Sequence, residues 1–176
     1  MSQTWHDKPF ERTPWDDGAF LVAALIRATN GGIGCKKSPM SYVNTFIAAA
    51  FDTTAKAGTV PPGRGAKKSI AQLEYELISG KPYTFTQEEV QFGVHVLRQG
   101  IPSTELKAKR TKPWSEFFSK PMACMRTSTL PKSYGWELHF DSEGKVALVA
   151  IESPEYKRLL KNAAIKQVSA MRHKRA

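Results

Sequence analysis

Cysteine is scarce in this chain. Only Cys35 and Cys124 occur in 176 residues, far apart in sequence. A framework of disulfides is therefore excluded as the basis of stability, and a reducing, cytoplasmic setting is expected. The four histidines, His6, His95, His139 and His173, show no metal-ligand spacing with one another or with cysteine, so no metal site is expected. Long apolar runs are also missing. The stretch 19–28 is about half the ~20 residues a membrane span requires, and it follows an acidic, tryptophan-containing segment rather than the basic start of a signal peptide. No membrane association is expected. Glycine-rich phosphate fingerprints fail on inspection. Asn30 to Gly34 follows no strand of a βαβ unit, and Gly63 to Ser69 lacks the first glycine and the pre-lysine glycine of a P-loop, so no cofactor is implied.

Acid is in short supply. The net charge is +10, and residues 1–40 hold five basic and four acidic side chains, which leaves a net +9 for the rest. Beyond Glu155 there is no acid at all, while seven lysines and arginines follow. Such a surplus favours anionic partners, nucleic acid or a phosphorylated ligand. A soluble protein with an incidentally basic surface has the same composition.

The patterning is that of one α+β domain, since the length suffices for one well-buried core and not for two. Tyr134 to Phe140 alternates, with Tyr134, Trp136, Leu138 and Phe140 on one face and Gly135, Glu137 and His139 on the other. Asp141 to Gly144 is a turn, and the apolar run Lys145 to Ile151 predicts a strand covered on both faces. Ser153-Pro154-Glu155 then starts a helix over 154–162. Upstream, Tyr42 to Phe51 predicts a strand. Ser69 with Gln72 and Thr86 with Glu89 read as capping boxes for helices ending before Gly80 and Gly100. Residues 102–113 suggest a short helix and a basic loop, and Trp114 to Lys120 another short helix. Met122 to Thr129 is expected as a strand beside the Tyr134 strand. Together these give an antiparallel sheet of about four strands with helices packed on one face. A two- to three-turn helix is expected after Asp16 or Asp17, and the terminal HKRA is expected to be mobile.

Several phrases are shared with a known family. Phe117-Phe-Ser-Lys120, Cys124, Arg126, Ser128, Leu130, Lys132, Tyr134-Gly-Trp136, His139, Glu143-Gly-Lys145 and the Ser153-x-Glu-Tyr156 helix start resemble a small family of bacterial and fungal proteins, domain of unknown function 6157. Asn44 to Ile47, the Pro61 to Lys68 loop, Ala71-Gln-Leu73 and Ala170 to Arg172 extend the likeness. Pro121 and Glu137 depart from it, standing where the family has glycine. The resemblance implies a domain over about residues 40–176, preceded by an extension over 1–39, either flexible or docked. It implies no activity.

Three constellations carry possible chemistry. Arg126, Lys132 and His139, with Tyr134 and Trp136 as stacking rings, fall on neighbouring elements and suit an anionic ligand, most readily single-stranded nucleic acid. Aromatics that share a face with Leu138 and Phe140 are equally core residues. Lys67 and Lys68, beside the start of the Ser69 helix, suit an anion at a helix N-terminus or form a solvated loop. Cys124 with His139 forms a candidate nucleophile and base, the alternative being a small buried thiol. His95 reads as a packed or surface histidine. Ser128, His139 and Asp141 lack a nucleophile elbow and do not make a triad. The leading expectation is a non-catalytic module for an anionic partner. The alternative is a small enzyme acting on an anionic metabolite, and whether the chain is an enzyme, and its oligomeric state, stay open in the sequence.

Overall fold

Strand β1 (Thr45–Ala48) lies between two strands that come from the other end of the chain. The computed structural model describes residues 42–172, apart from 64, 66, 67, 103, 105 and 107–111. The expected N-terminal helix, Cys35, Lys67, the basic loop after 106 and the HKRA terminus lie outside the described residues. After β1 come helices α1 (Ile70–Ser79), α2 (Gln87–Gln99) and α3 (Lys112–Phe117), a 3-10 turn (Met125–Thr127) and a π-helical turn (Leu130–Tyr134). Strands β2 (Trp136–Phe140) and β3 (Val146–Ala150), helix α4 (Pro154–Lys161) and strand β4 (Lys166–Ser169) complete the order. No helix among the described residues is long and apolar enough to cross a membrane.

The local signals that set these boundaries act as capping chemistry predicts. Thr86 accepts from the Glu89 amide while the Glu89 carboxylate accepts from the Thr86 amide, and α2 closes on left-handed Gly100 at φ +63°. Ser69 accepts from the Gln72 amide, but the Gln72 side chain turns to Glu76, so α1 has half a capping box. Ser153 caps α4 through the Tyr156 amide, with Pro154 in its first turn. Asp141 Oδ1 accepts from the amides of Glu143 and Lys145 and fixes the β2–β3 turn.

The α+β composition and the four strands match the sequence reading, and two details are corrected. The sheet, in order β3-β2-β1-β4, is mixed, because β4 runs parallel to β1 with Ile47 opposite Val168. Helix α4 carries the chain from β3 across to the open edge of β1, and a helical crossover delivers parallel strands. Helices also cover both faces. Ile47, Leu138, Phe140 and Val146 pack against Leu73, Leu77 and Ile78 of α1 and Val90 and Val94 of α2. Phe46 and Val149, which point the other way, pack against Tyr156 and Leu159 of α4. A third cluster joins Phe92 and Val96 of α2 to Leu106, Trp114, Phe117 and Phe118.

Met122 to Thr129 is not a strand. Strand β2 is already flanked by β1 and β3, so no edge remains for it. Its backbone is satisfied by side chains instead: the Met125 amide donates to Gln87 Oε1 and the Leu130 amide to Ser128 Oγ. Tyr134 likewise belongs to the π-helical turn, which ends on Gly135 at φ +66°.

Candidate functional site

The basic and aromatic residues singled out in the sequence do not converge. Arg126 Nε donates to the Ser169 carbonyl at 2.8 Å and so fastens the end of β4. Lys132 sits half-buried in the π-helical turn. Trp136 packs its ring on Tyr75, with centroids 5.3 Å apart, and donates Nε1 to the Thr59 carbonyl. The Thr59 amide donates in turn to the Tyr134 carbonyl, so both aromatic positions hold the 57–59 loop. Lys68 pairs with Glu76 at 2.6 Å. His139 projects from the opposite face of the sheet, where its Nδ1 is 2.8 Å from the Tyr83 hydroxyl. Burial lowers its pKa, with Arg158 acting in the same direction and Glu155 and Asp141 opposing.

His139 is therefore not the partner of Cys124. The sequence pairing assumed that both strands of a hairpin presented these residues to one side. Alternation along β2 sends His139 towards Phe46, whereas the 122–128 segment packs on the face that holds Leu138 and Phe140.

Cys124 instead lines a cavity of about 260 Å³ between α1, α2, α3 and the 122–128 segment. Its floor is built from the buried residues Glu74, Val94, Met125 and Ser128. Exposed Arg98, Gln99 and Ala123 stand at its mouth, with His95 and Phe117 on the wall between. The capped start of α2 fixes the angular position of His95 and Arg98, one turn apart near its end. The Gln91 side chain donates to the Ala123 carbonyl at 2.6 Å and ties the mouth to α2.

Glu74 is the chemically notable group. It lies among the buried residues of α1, with Leu73, Leu77 and Ile78, and only 9% of its surface is exposed. No cation among the described residues pairs with it. Burial pushes its carboxyl up to about 7, and the hydrogen bond from Ser128 offsets only part of that shift. The Leu130 amide donates to Ser128 Oγ, so the Ser128 hydroxyl proton is directed at Glu74 Oε2, 2.6 Å away. Oε2 is thereby committed as an acceptor. Oε1 has no hydrogen-bond partner among the described residues. A carboxyl that is half-protonated near neutrality, in the wall of a cavity, suits proton transfer.

Neighbouring groups share this environment. Burial, and then the adjacent Cys124, raise the Tyr42 phenol well above its usual range, so Tyr42 is a neutral hydroxyl beside the thiol. Burial lowers the pKa of His95, and Arg98 adds to the effect. The His95 ring stacks near Phe117, with centroids 4.6 Å apart. Arg98 has no ion-pair partner among the described residues. No group of three histidine, cysteine, aspartate or glutamate side chains among the described residues is placed to hold a metal ion.

A second buried carboxyl lies beyond the sheet. Glu137 is 0% exposed, and neither carboxyl oxygen has a hydrogen-bond partner. Burial pushes it up to about 8; its own backbone amide opposes the shift, while Glu152 adds to it. It acts as a neutral acid within the layer closed by α4.

Sequence reasoning missed Glu74 and placed Ser128 only in a rejected triad. The signal was present: an acid at a core position of a capped, amphipathic helix, with no basic residue one turn away. Glu137 was hidden by alternation, which put it on a face taken to be open before α4 was known to cover it.

No curated protein and no solved structure matches the chain. A family model does match, over residues 37–176, and it bears out the likeness carried by the FFSK, YGW and EGK phrases. With four-fifths of its length so matched, the chain belongs to the family of unknown function DUF6157.

Proposed function

We propose that this domain is a small enzyme that binds an organic metabolite in the Cys124 cavity and exchanges a proton with it through Glu74. The observation that carries this reading is the placement of Glu74, a buried carboxyl without a counter-charge among the described residues, in the wall of a cavity that also presents a thiol and a histidine. Glu74 would serve as general acid or base through Oε1, with Ser128 holding its carboxyl plane. Cys124, beside the neutral Tyr42 phenol, faces the same bound molecule. Nucleic-acid binding has the net charge of +10 in its favour and no assembled surface among the described residues.

The test is a thermal-shift screen of a metabolite library against the wild type, Ala123→Trp and Glu74→Gln. Ala123 is exposed at the cavity mouth, so the tryptophan blocks entry without disturbing the core. Glu74→Gln keeps the shape and an acceptor for Ser128 but cannot ionise. The expected result is a ligand that stabilises the wild type and Glu74→Gln, fails with Ala123→Trp, and is turned over only by the wild type. A library without a hit, or hits indifferent to Ala123→Trp, would sink the cavity reading. Turnover undiminished in Glu74→Gln would remove Glu74 from the chemistry.

A further inference from the structure

The size of the cavity limits its ligand. An apolar cavity of about 150 Å³ accommodates benzene, so about 260 Å³ accommodates a molecule of roughly ten non-hydrogen atoms. That is at the lower edge of the ~300–1,000 Å³ of pockets that bury most of a drug-sized ligand. The described lining contains a single permanent cation, Arg98, at the mouth, and its deep wall is apolar along Val94, Phe117, Met122 and Met125. A side chain with five donors in a planar fork matches one carboxylate in two parallel hydrogen bonds. A dianion such as a phosphate monoester is less suited. Arg98 stands in the last turn of α2, where the free carbonyls carry partial negative charge and oppose a second charge on the ligand.

We infer, on the basis of the small-molecule reading above, that the ligand is a monocarboxylate with a short apolar body, aliphatic or aromatic. Its carboxylate is held by Arg98 at the mouth, and its body runs inward past Val94 and Met125 towards Glu74. The end that meets Glu74 carries a polar atom, since the Glu74–Ser128 pair is the polar part of the described floor. The inward polar end is where proton exchange takes place, and the carboxylate is a handle remote from it.

Ligand-observed NMR and calorimetry with six probes test this: 4-hydroxyphenylacetate and 6-hydroxyhexanoate, the amides of both, 4-hydroxyphenyl phosphate, and inorganic phosphate. The acids are expected to bind about tenfold or more tightly than the amides, the worth of one charge-assisted pair. Arg98→Gln is expected to abolish that preference while leaving amide binding unchanged, and Ala123→Trp to block both. Arg98 is exposed, so its substitution leaves the fold intact, and a circular dichroism melt verifies that. Amides that bind as well as acids, or 4-hydroxyphenyl phosphate that binds more tightly than 4-hydroxyphenylacetate, overturn the monocarboxylate inference while the cavity remains a small-molecule site. Binding of no probe overturns it as well, and the library screen then decides the broader reading separately.

Discussion

The Ser128 hydroxyl donates to Glu74 Oε2 at 2.6 Å, joining helix α1 to the 3-10 turn across 54 residues of sequence. This bond partly offsets the burial of Glu74 and so sets its ionisation. Ser128→Ala removes the donor to the ionised form, and the Glu74 pKa is expected to rise above about 7. Carbon-13 NMR of labelled glutamate carboxyls across pH 5–9, a range of about two units each side of that value, reads this directly. Stability should fall by about 1–2 kcal/mol, and by more at alkaline than at acidic pH. An unchanged titration would show that burial alone governs the group.

Glu137 makes the fold sensitive to pH. Its folded value of about 8 lies above the ordinary 4.5, so the native state holds a proton that the unfolded chain has released. The stability it contributes is complete below pH 4.5 and is lost as pH rises through 8. Glu74 acts in the same direction between 4.5 and about 7. Urea melts of the wild type are therefore expected to shift to lower midpoints from pH 5 to pH 8. Glu137→Leu should flatten that slope and gain about 1–3 kcal/mol at the upper end, as replacing a buried charge with an apolar side chain does. Parallel pH profiles for the two proteins would contradict this.

Gly135 stands where no side chain fits. Its φ is +66°, and an added Cβ would lie 2.6 Å from the Ala57 carbonyl oxygen. Gly100 has a similar φ of +63° with nothing within 4 Å. Gly100→Ala should cost only the left-handed strain, about 1–2 kcal/mol. Gly135→Ala should cost distinctly more, because the 57–59 loop must also move off Trp136. Equal losses in denaturant melts would mean that the loop yields freely.

Arg126 is assigned to β4 rather than to a ligand. Arg126→Ala should release the Ser169 carbonyl and speed amide exchange at Lys166 to Ser169, with a stability loss of about 0.5–1.5 kcal/mol. Glu74 titration and cavity binding should be unaffected. Unaltered exchange in β4 would show that pairing with β1 alone fastens it.

Helices with a cap at each end were legible in the sequence, because their signals are local: Thr86, Glu89 and Gly100 bound α2 within a single window. The β2–β3 hairpin was legible for the same reason, through Asp141 and Gly144. What could not be read was anything set by distant partners. The direction of β4, the covering of Glu137 by α4 and the turn at Met125–Thr127 all depend on which sheet edges are still open. The site suffered most, since it is assembled from Glu74, Arg98 and Cys124 on three separate elements. Nearness in sequence had instead grouped Cys124 with His139, which the pleat of β2 turns to the other side.

The central place of β1 also governs how the molecule is made. Both neighbours of this strand, β2 and β4, lie well downstream of it in the chain. Phe46 and Ile47, fully buried in the finished sheet, therefore have no strand beside them until those segments have been made. High sequence separation between paired strands slows folding, and this sheet is complete only once β4 has been made. Nascent chains stalled before residue 166 would present the β1 edge to chaperones or to one another.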